Sequence, residues 1–585
     1  MAPPILSLSV RTVLCSRRAW LGYHAAVLTR LMSRSFSPTR RPGVVDRAQA
    51  AQLIAQTVTN DPTPWQALAH QGVETARAAG AQYADVRLTR TCGQRYAFGA
   101  GIDDAQCFAE VTGVGVRALV NGTWGFAACP WPTAEAVAGV ARDAVAQATV
   151  NAQRRGQPVE WVPIPVVQGT WTTPMRIDPF AISIDEKRDY IAYIQAYGDA
   201  RGISSQPFSG ALEIHRQERV LATSEGTLVT QTCFETGAAW QVDLYNQPLG
   251  QQKPSPELGI TGLVAAGLGW EHILDADIPG QLREASERLQ ALVQLQKHVK
   301  PAPVGRYTLV CDGATMAALL DRTLGVATQL DRALGYEANA AGTSFLDDPL
   351  GMVGHFQVAA PLITVTANRT TPGDLATVCW DDEGVAAESF TLVKDGVLVD
   401  FQTTRAQAGW LAPYYTKAGR PVTSHGCAAA EDALGLTLAM QPNLALAPGA
   451  PTVRMDDLVA NVTQGILVTG GDVTQVDSQA WTGVLVGQMQ EIRNGRLGPL
   501  LAGGAVLFDT LDLWKHVIAL GGAATVGTVV APRPSGGIGN WGFLQGTRGI
   551  GEDPKGEPPQ STSRTTRGVA AVIVNQPVID LGRKA

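Results

Sequence analysis

Pro301-Ala302-Pro303 limits how this chain can fold, because two prolines around one residue stop a helix and stiffen a linker. A strong helical pattern precedes it, Glu284 to Lys297, with Leu289, Leu292, Val293 and Leu295 along one apolar face. A strand-like run, Gly305 to Cys311, follows it. At 585 residues the chain is too long for one ordinary core. The proline pair therefore divides a region at 46–300 from another at 301–585.

The first region reads as helix, strand, hairpin and helix. Ala48 to Val58 and Trp65 to Ala79 are Ala-rich amphipathic helices, the second ending at Gly80. Ala81 to Thr91 alternates as a strand, with Val86 and Leu88 on one face. Cys107 to Leu119, Asn121-Gly122 and Thr123 to Ala128 predict a hairpin. Thr133 caps a helix to about Asn151 with Glu135 in its first turn. Residues 152–256 read as short strands around one helix, Ile184 to Tyr197.

The second region opens with the Gly305 strand and one long helix, Ala314 to about Leu334, apolar at Met316, Leu319, Leu320, Leu324, Ala327 and Leu330. Beyond Pro361 strands dominate: Leu362 to Asn368, Ser389 to Leu392, and Val397 to Thr403 after the turn Asp395-Gly396. Ser535 to Gly551 is glycine-rich and reads as a long loop or insertion. No fixed-period repeat is present.

Composition narrows the function classes. Apolar residues make up 45% and charged residues 17%, with 62 Gly and 35 Pro, which fits a turn-rich globular chain. A net charge of −6 gives no general attraction to nucleic acid. The eight cysteines form no CxxC and no zinc-knuckle spacing, which favours a reducing compartment over a disulfide framework. No apolar run reaches the length of a membrane helix; Val517 to Pro532 is broken by Gly521, Gly522 and Gly527. Residues 1–45 carry seven arginines and no acidic residue. They read as an unstructured extension, a mitochondrial-type presequence or an imitation of a twin-arginine signal. The protein is expected in the cytoplasm, or in mitochondria or exported if that segment is a targeting signal.

Several short motifs follow one another along the chain. They include Ala84-Asp85-Val86-Arg87, Gly113-Val114-Gly115-Val116-Arg117, and the stretch from Gln329-Leu330-Asp331-Arg332 through Gly342-Thr343-Ser344-Phe345. Asp381-Asp382-Glu383-Gly384, Lys394-Asp395-Gly396, Pro442-Asn443-Leu444 and Lys555-Gly556-Glu557-Pro558-Pro559-Gln560 follow. In these motifs the chain resembles the TldD/PmbA family of metallopeptidases over roughly residues 65–583. The resemblance implies an α+β fold, with an N-terminal sheet-and-helix domain, a larger strand-rich C-terminal domain, and a dimer around an internal cavity.

In that family an HExxxH helix and a downstream cysteine hold zinc, and the glutamate acts as general base. Carried over residue by residue, the first histidine position is Asp321, the glutamate Arg322, the second histidine Val326, and the cysteine Asp553. Valine has no donor atom, and a guanidinium stays protonated and cannot be a base. Asp321 and Asp553 suit a hard cation better than Zn²⁺. The expectation is a family member that has lost zinc and works as a non-catalytic subunit or peptide-binding partner in proteolysis of unfolded or small peptides. Its implied partners are a second copy or a metal-bearing TldD-like subunit, and peptide, with no nucleic acid and no membrane.

The cavity candidates are Asp331, Arg332, Tyr336, Glu337, Asn339, Gly342, Thr343 and Ser344. Among them Asp331, Arg332 and Glu337 are expected to form an ion-pair network. An alternative is an active peptidase with a shifted metal site drawn from Asp321, Glu337, His355, Cys427 and Asp553. A third reading is a partner-binding module with no catalytic role. His425 and Cys427 read as a turn with one buried thiol, or as a small ligand site. Asp381-Asp382-Glu383-Gly384 offers three carboxylates to a cation, but an acid-glycine cluster between strands is ordinarily a solvated turn. No GxSxG elbow, Walker loop or dinucleotide fingerprint is present.

Overall fold

The computed structural model describes residues 63–99, 106–154, 158–200, 208–245, 254–262, 265–295, 298–531, 554–556 and 559–581. The helix expected at Ala48 to Val58, the loop at Ser535 to Gly551, the segment 1–45 and Asp553 lie outside the described residues.

Helix α1 (Thr63–Ala78) ends as expected at Gly80, whose φ is +106°. The amides of Gly80 and Ala81 bond back to the carbonyls of Arg77 and Ala76, closing the helix end. Strands β1 (Tyr83–Gly99), β2 (Gln106–Val120) and β3 (Thr123–Pro130) follow. Asn121 and Gly122, both at positive φ, make the predicted hairpin turn between β2 and β3. Thr133 Oγ1 accepts from the Ala136 amide and caps α2 (Ala134–Asn151).

Strand β4 (Gln168–Thr172) and helix α3 (Ile184–Asp199), which opens on a Ser183–Glu186 capping box, lead into long strands. These are β5 (Phe208–Thr223), β6 (Leu228–Tyr245) and β7 (Pro254–Gly262); α4 (Ile278–Leu295) comes next. The expected short strands here are instead strands of 16 and 18 residues. The run Glu213 to Arg219 disguised β5, since its polar and charged residues, with Glu213, His215 and Arg216 buried and Glu218 and Arg219 half-buried, break the apolar alternation.

The seven strands form one sheet, β3-β2-β1-β5-β6-β4, with β7 on the far length of β6. On one face Val86, Leu88, Val114, Val116 and Val220 pack under α1 and α2. Further along that face Tyr96, Leu212, Ile214 and Trp240 pack against α3 and α4. Period-2 alternation sends Asp85, Arg87, Thr89, Arg117 and Arg219 to the other face.

Among the described residues, 300–581 build two larger sheets and a two-stranded one, Ala428–Ala429 with Leu438–Ala439. Strands Gln464–Val476, Gly305–Cys311, Ala571–Asp580, Gly504–Asp509 and Thr482–Arg493 pair in a ring, because the last pairs back with the first. A closed ring leaves no free edge among those five strands. A six-stranded sheet runs Val397–Leu398, Ser389–Lys394, Val365–Asn368, Asn443–Leu446, Arg564–Val569, Val526–Ala531. The pairing of Val397 to Thr403 is shorter than expected, and the turn at Asp395-Gly396 is as expected. The fold is α+β. Residues 65–585 cluster as one unit.

Helix α5 (Gly313–Leu320) lies on the six-stranded sheet at backbone contact. A Cβ on Gly568 would come within 2.2 Å of the Ala317 nitrogen, so only glycine permits this approach. The long helix expected to Leu334 is broken. Residues Asp321–Gly325 widen to a π turn, and Gln329 is extended with ψ of 117°. The break has a tertiary cause: Gln402 donates its amide to Thr328 and accepts from Leu330. That pairing removes the residues from the helical ladder although their apolar period continues.

Candidate functional site

Asp321 sits in the π turn after α5 with no exposed surface. Its Oδ1 accepts from Arg564 Nε at 2.9 Å, Thr566 Oγ1 at 2.8 Å and Gln441 Nε2 at 2.6 Å. Its Oδ2 accepts from the second arm of Arg564 at 2.7 Å. Arg564 and Thr566 share one face of their strand, so one short segment supplies both. The carboxylate is thus fully engaged, and its counter-charge is a guanidinium of the same chain. Val326 is buried in the apolar core, and Arg322 next door is half-buried.

The cavity candidates separate by role. Asp331 pairs with buried Lys555 at 2.5 Å, and Lys555 also donates to the Ala439 carbonyl. Glu337 accepts from the Gly556 amide at 3.0 Å. Arg332 donates to the Ala341 carbonyl. Asp331 and Glu337 thus hold the segment at 555–556, and Arg332 holds the loop that follows. No local pattern could reveal that, because Lys555 is 224 positions from Asp331.

Gly342, Thr343 and Ser344 fix the loop rather than face an open space. Gly342 has φ of +97°, and the Thr343 and Phe345 amides bond to Ser478 and Gln479. Ser344 donates to the Ala327 carbonyl. Tyr336 and Asn339 are exposed.

The acidic turn is not solvated, contrary to expectation. Asp381, Asp382 and Glu383 are all buried. Asp382 pairs with Arg87 at 3.2 Å and Arg219 at 2.9 Å, and Glu383 with Arg117 at 3.0 Å. Arg117 also grips Asp85 at 2.7 Å. Burial works against the Asp382 charge, but the two guanidiniums outweigh it and hold the carboxyl below its ordinary range. Asp381 instead accepts from the amides of Glu383, Val385 and Ala428; burial and the Glu383 charge push it upward. A small pocket lined by Arg87, Thr89, Arg219, Gln231, Asp381 and Asp382 lies here. The turn is a charged joint between the first sheet and the strand-rich part.

Cys427 has no exposed surface, and burial pushes its thiol up to about 12, so it is no thiolate at neutral pH. His425 faces two carboxylates, Glu388 at Nδ1 and Asp400 at Nε2, the latter at 3.1 Å. Tyr415 donates to Asp400 at 2.6 Å, Arg420 pairs with it at 2.7 Å, and Phe390 stacks on the imidazole at 4.2 Å. His355 is exposed in the loop after Gly354.

Zinc, implied by the family motif, does not fit these residues. Among the described residues no group of three or more His, Cys, Asp or Glu side chains could hold a metal ion. The structure therefore gathers no three of Asp321, Glu337, His355 and Cys427. Asp321 cannot turn to an ion without giving up Arg564.

The description "PmbA/TldA metallopeptidase C-terminal domain" matches residues 304–538, and "PmbA/TldA metallopeptidase domain 1" matches residues 84–148. A metalloprotease of Methanocaldococcus jannaschii is 22% identical over 70% of this chain and 82% of its own. The metalloprotease TldD homolog of Haemophilus influenzae is 24% identical over 74% of this chain and 84% of its own. The crystal structure of TldE from Thermococcus kodakarensis superposes with a TM-score of 0.59 at 15% identity, covering 86% of this chain and 98% of that one. At that identity the last likeness speaks for the fold. The chain belongs to the TldD/PmbA family of metallopeptidase-related proteins.

Proposed function

We propose that this chain is a non-catalytic member of its family, serving as a subunit or peptide-binding partner in proteolysis of unfolded or small peptides. One observation carries the reading: the first ligand position, Asp321, spends both carboxylate oxygens on Arg564, Thr566 and Gln441. Val326 adds no donor atom, and Arg322 has no lone pair with which to take a proton from water. No hydrolytic step follows from such a set. What the residues do is hold chain in place: Asp331 and Glu337 fasten the segment at 555–556, and Gly342 to Ser344 fasten the loop that follows them. In this reading the chain pairs with itself or with a metal-bearing TldD-like subunit that supplies the chemistry.

The test uses the full chain alone and mixed with a HExxxH-bearing homologue. Alone it should carry no stoichiometric zinc and leave an unstructured peptide intact. With the homologue it should co-purify and take part in chelator-sensitive cleavage. Stoichiometric zinc together with chelator-sensitive cleavage by the chain alone would overturn the reading.

A further inference from the structure

We propose that Asp321, Gln441 and Thr566 form a guanidinium-binding socket at the vacated ligand position, filled in cis by Arg564. The proposal takes from the functional reading only that Asp321 occupies that position; the rest stands on hydrogen-bond geometry. Arg564 presents Nε and a terminal nitrogen to the two oxygens of Asp321 at 2.9 and 2.7 Å, the bidentate fork that a planar guanidinium makes and an ammonium cannot. Gln441 and Thr566 complete Oδ1 at 2.6 and 2.8 Å. Asp321 is fully buried and Arg564 is 4% exposed, so neither charge is left to solvent.

The socket joins three pieces of chain: the π turn after α5, the strand Arg564–Val569, and Gln441 just before the strand Asn443–Leu446. A bound metal would have tied a helix to distant chain. Here a tethered organic cation does so, and it is supplied by the chain itself rather than by a bound metal. Removing only Arg564 would leave a buried carboxylate with two oriented donors and a cavity shaped for the missing fork.

The experiment is thermal melting of the full chain. The unaltered protein should melt at the same temperature with chelator or with one equivalent of zinc; a chelator-induced drop would overturn the proposal. Arg564→Ala should lower the melting temperature by about 5 °C or more, since it strands a buried charge. Low-millimolar N-methylguanidinium should restore at least half of that loss, and methylammonium at the same concentration should not. An unshifted melt for Arg564→Ala, or equal rescue by the two cations, sinks the socket. If Arg564→Ala does not fold, the pair Asp321→Asn with Arg564→Gln decides. It should fold and melt above Asp321→Ala, because two amides can still bond across the gap. Melting no higher than Asp321→Ala counts against the proposal. Missing rescue would leave the zinc and peptide assays unaffected, and cleavage by the chain alone would leave the rescue intact, so the two readings fail separately.

Discussion

His425 has a carboxylate against each ring nitrogen, so both nitrogens carry protons and the ring is an imidazolium. Burial opposes that charge, but Asp400 and Glu388 outweigh it and lift the pKa from 6.5 to about 9. The sign of the pH effect follows. A base whose pKa is raised by folding stabilises the fold fully below its ordinary value, and that contribution fades as pH climbs through the folded value. Replacing His425 with Gln should therefore cost about 2 kcal/mol at pH 6, the scale of hydrogen bonds to charged groups. The gap between the two proteins should narrow as pH rises from about 6.5 to about 9 and stay narrow above that, as read from urea midpoints across pH. A gap independent of pH would show that the imidazole is neutral. At this scale sequence reading can identify what Asp321, Arg322 and Val326 are unable to do, because that is a property of single side chains. It cannot find Arg564, Gln441 or Thr566, since these lie 243, 120 and 245 positions from Asp321 and no local period links them.

Elements were legible where their signals are local. The hairpin at Asn121-Gly122, the Thr133 cap and the stop at Gly80 are each decided by a few adjacent residues, and each appears as expected. The helix through Leu334 was misread because its break is imposed by Gln402, far along the chain. Glycine substitutions separate local from tertiary control. Gly335 has φ of +79° and open space around its Cβ position. Gly335→Ala should therefore cost only the left-handed strain, about 1 kcal/mol. Gly568 has backbone of α5 in the way, with the Ala317 nitrogen at 2.2 Å from a built Cβ, and neither partner is a flexible side chain. Gly568→Ala should cost about 3 kcal/mol, the upper range for overpacking. Equilibrium unfolding of the two variants checks this, and equal losses would mean that α5 can lift from its sheet at little cost.

Across the whole molecule, the proline pair at 301–303 separates strands of the first sheet from those of the later sheets, yet the two parts meet through buried charge rather than open solvent. Arg87, Arg117 and Arg219 reach from the inner face of the first sheet to Asp382 and Glu383, and Arg405 reaches back to Glu225 at 2.8 Å and to the Val162 carbonyl. Arg117 keeps Asp85 on its own side, but Asp382 and Glu383 would lose their guanidinium partners if the junction opened, and that resists opening. The two parts should consequently unfold together. Calorimetry of the full chain should give one transition, and two resolved peaks would mean that the junction opens before either part melts. Asp382→Ala strands two guanidiniums at once and should cost about 3–5 kcal/mol, as expected for breaking a buried pair. It should also admit protease near Pro301-Ala302-Pro303 at temperatures where the unaltered chain resists. If the variant melts earlier as a single peak and stays resistant, the ion pairs stabilise both parts without gating the junction, and apolar packing holds the halves together.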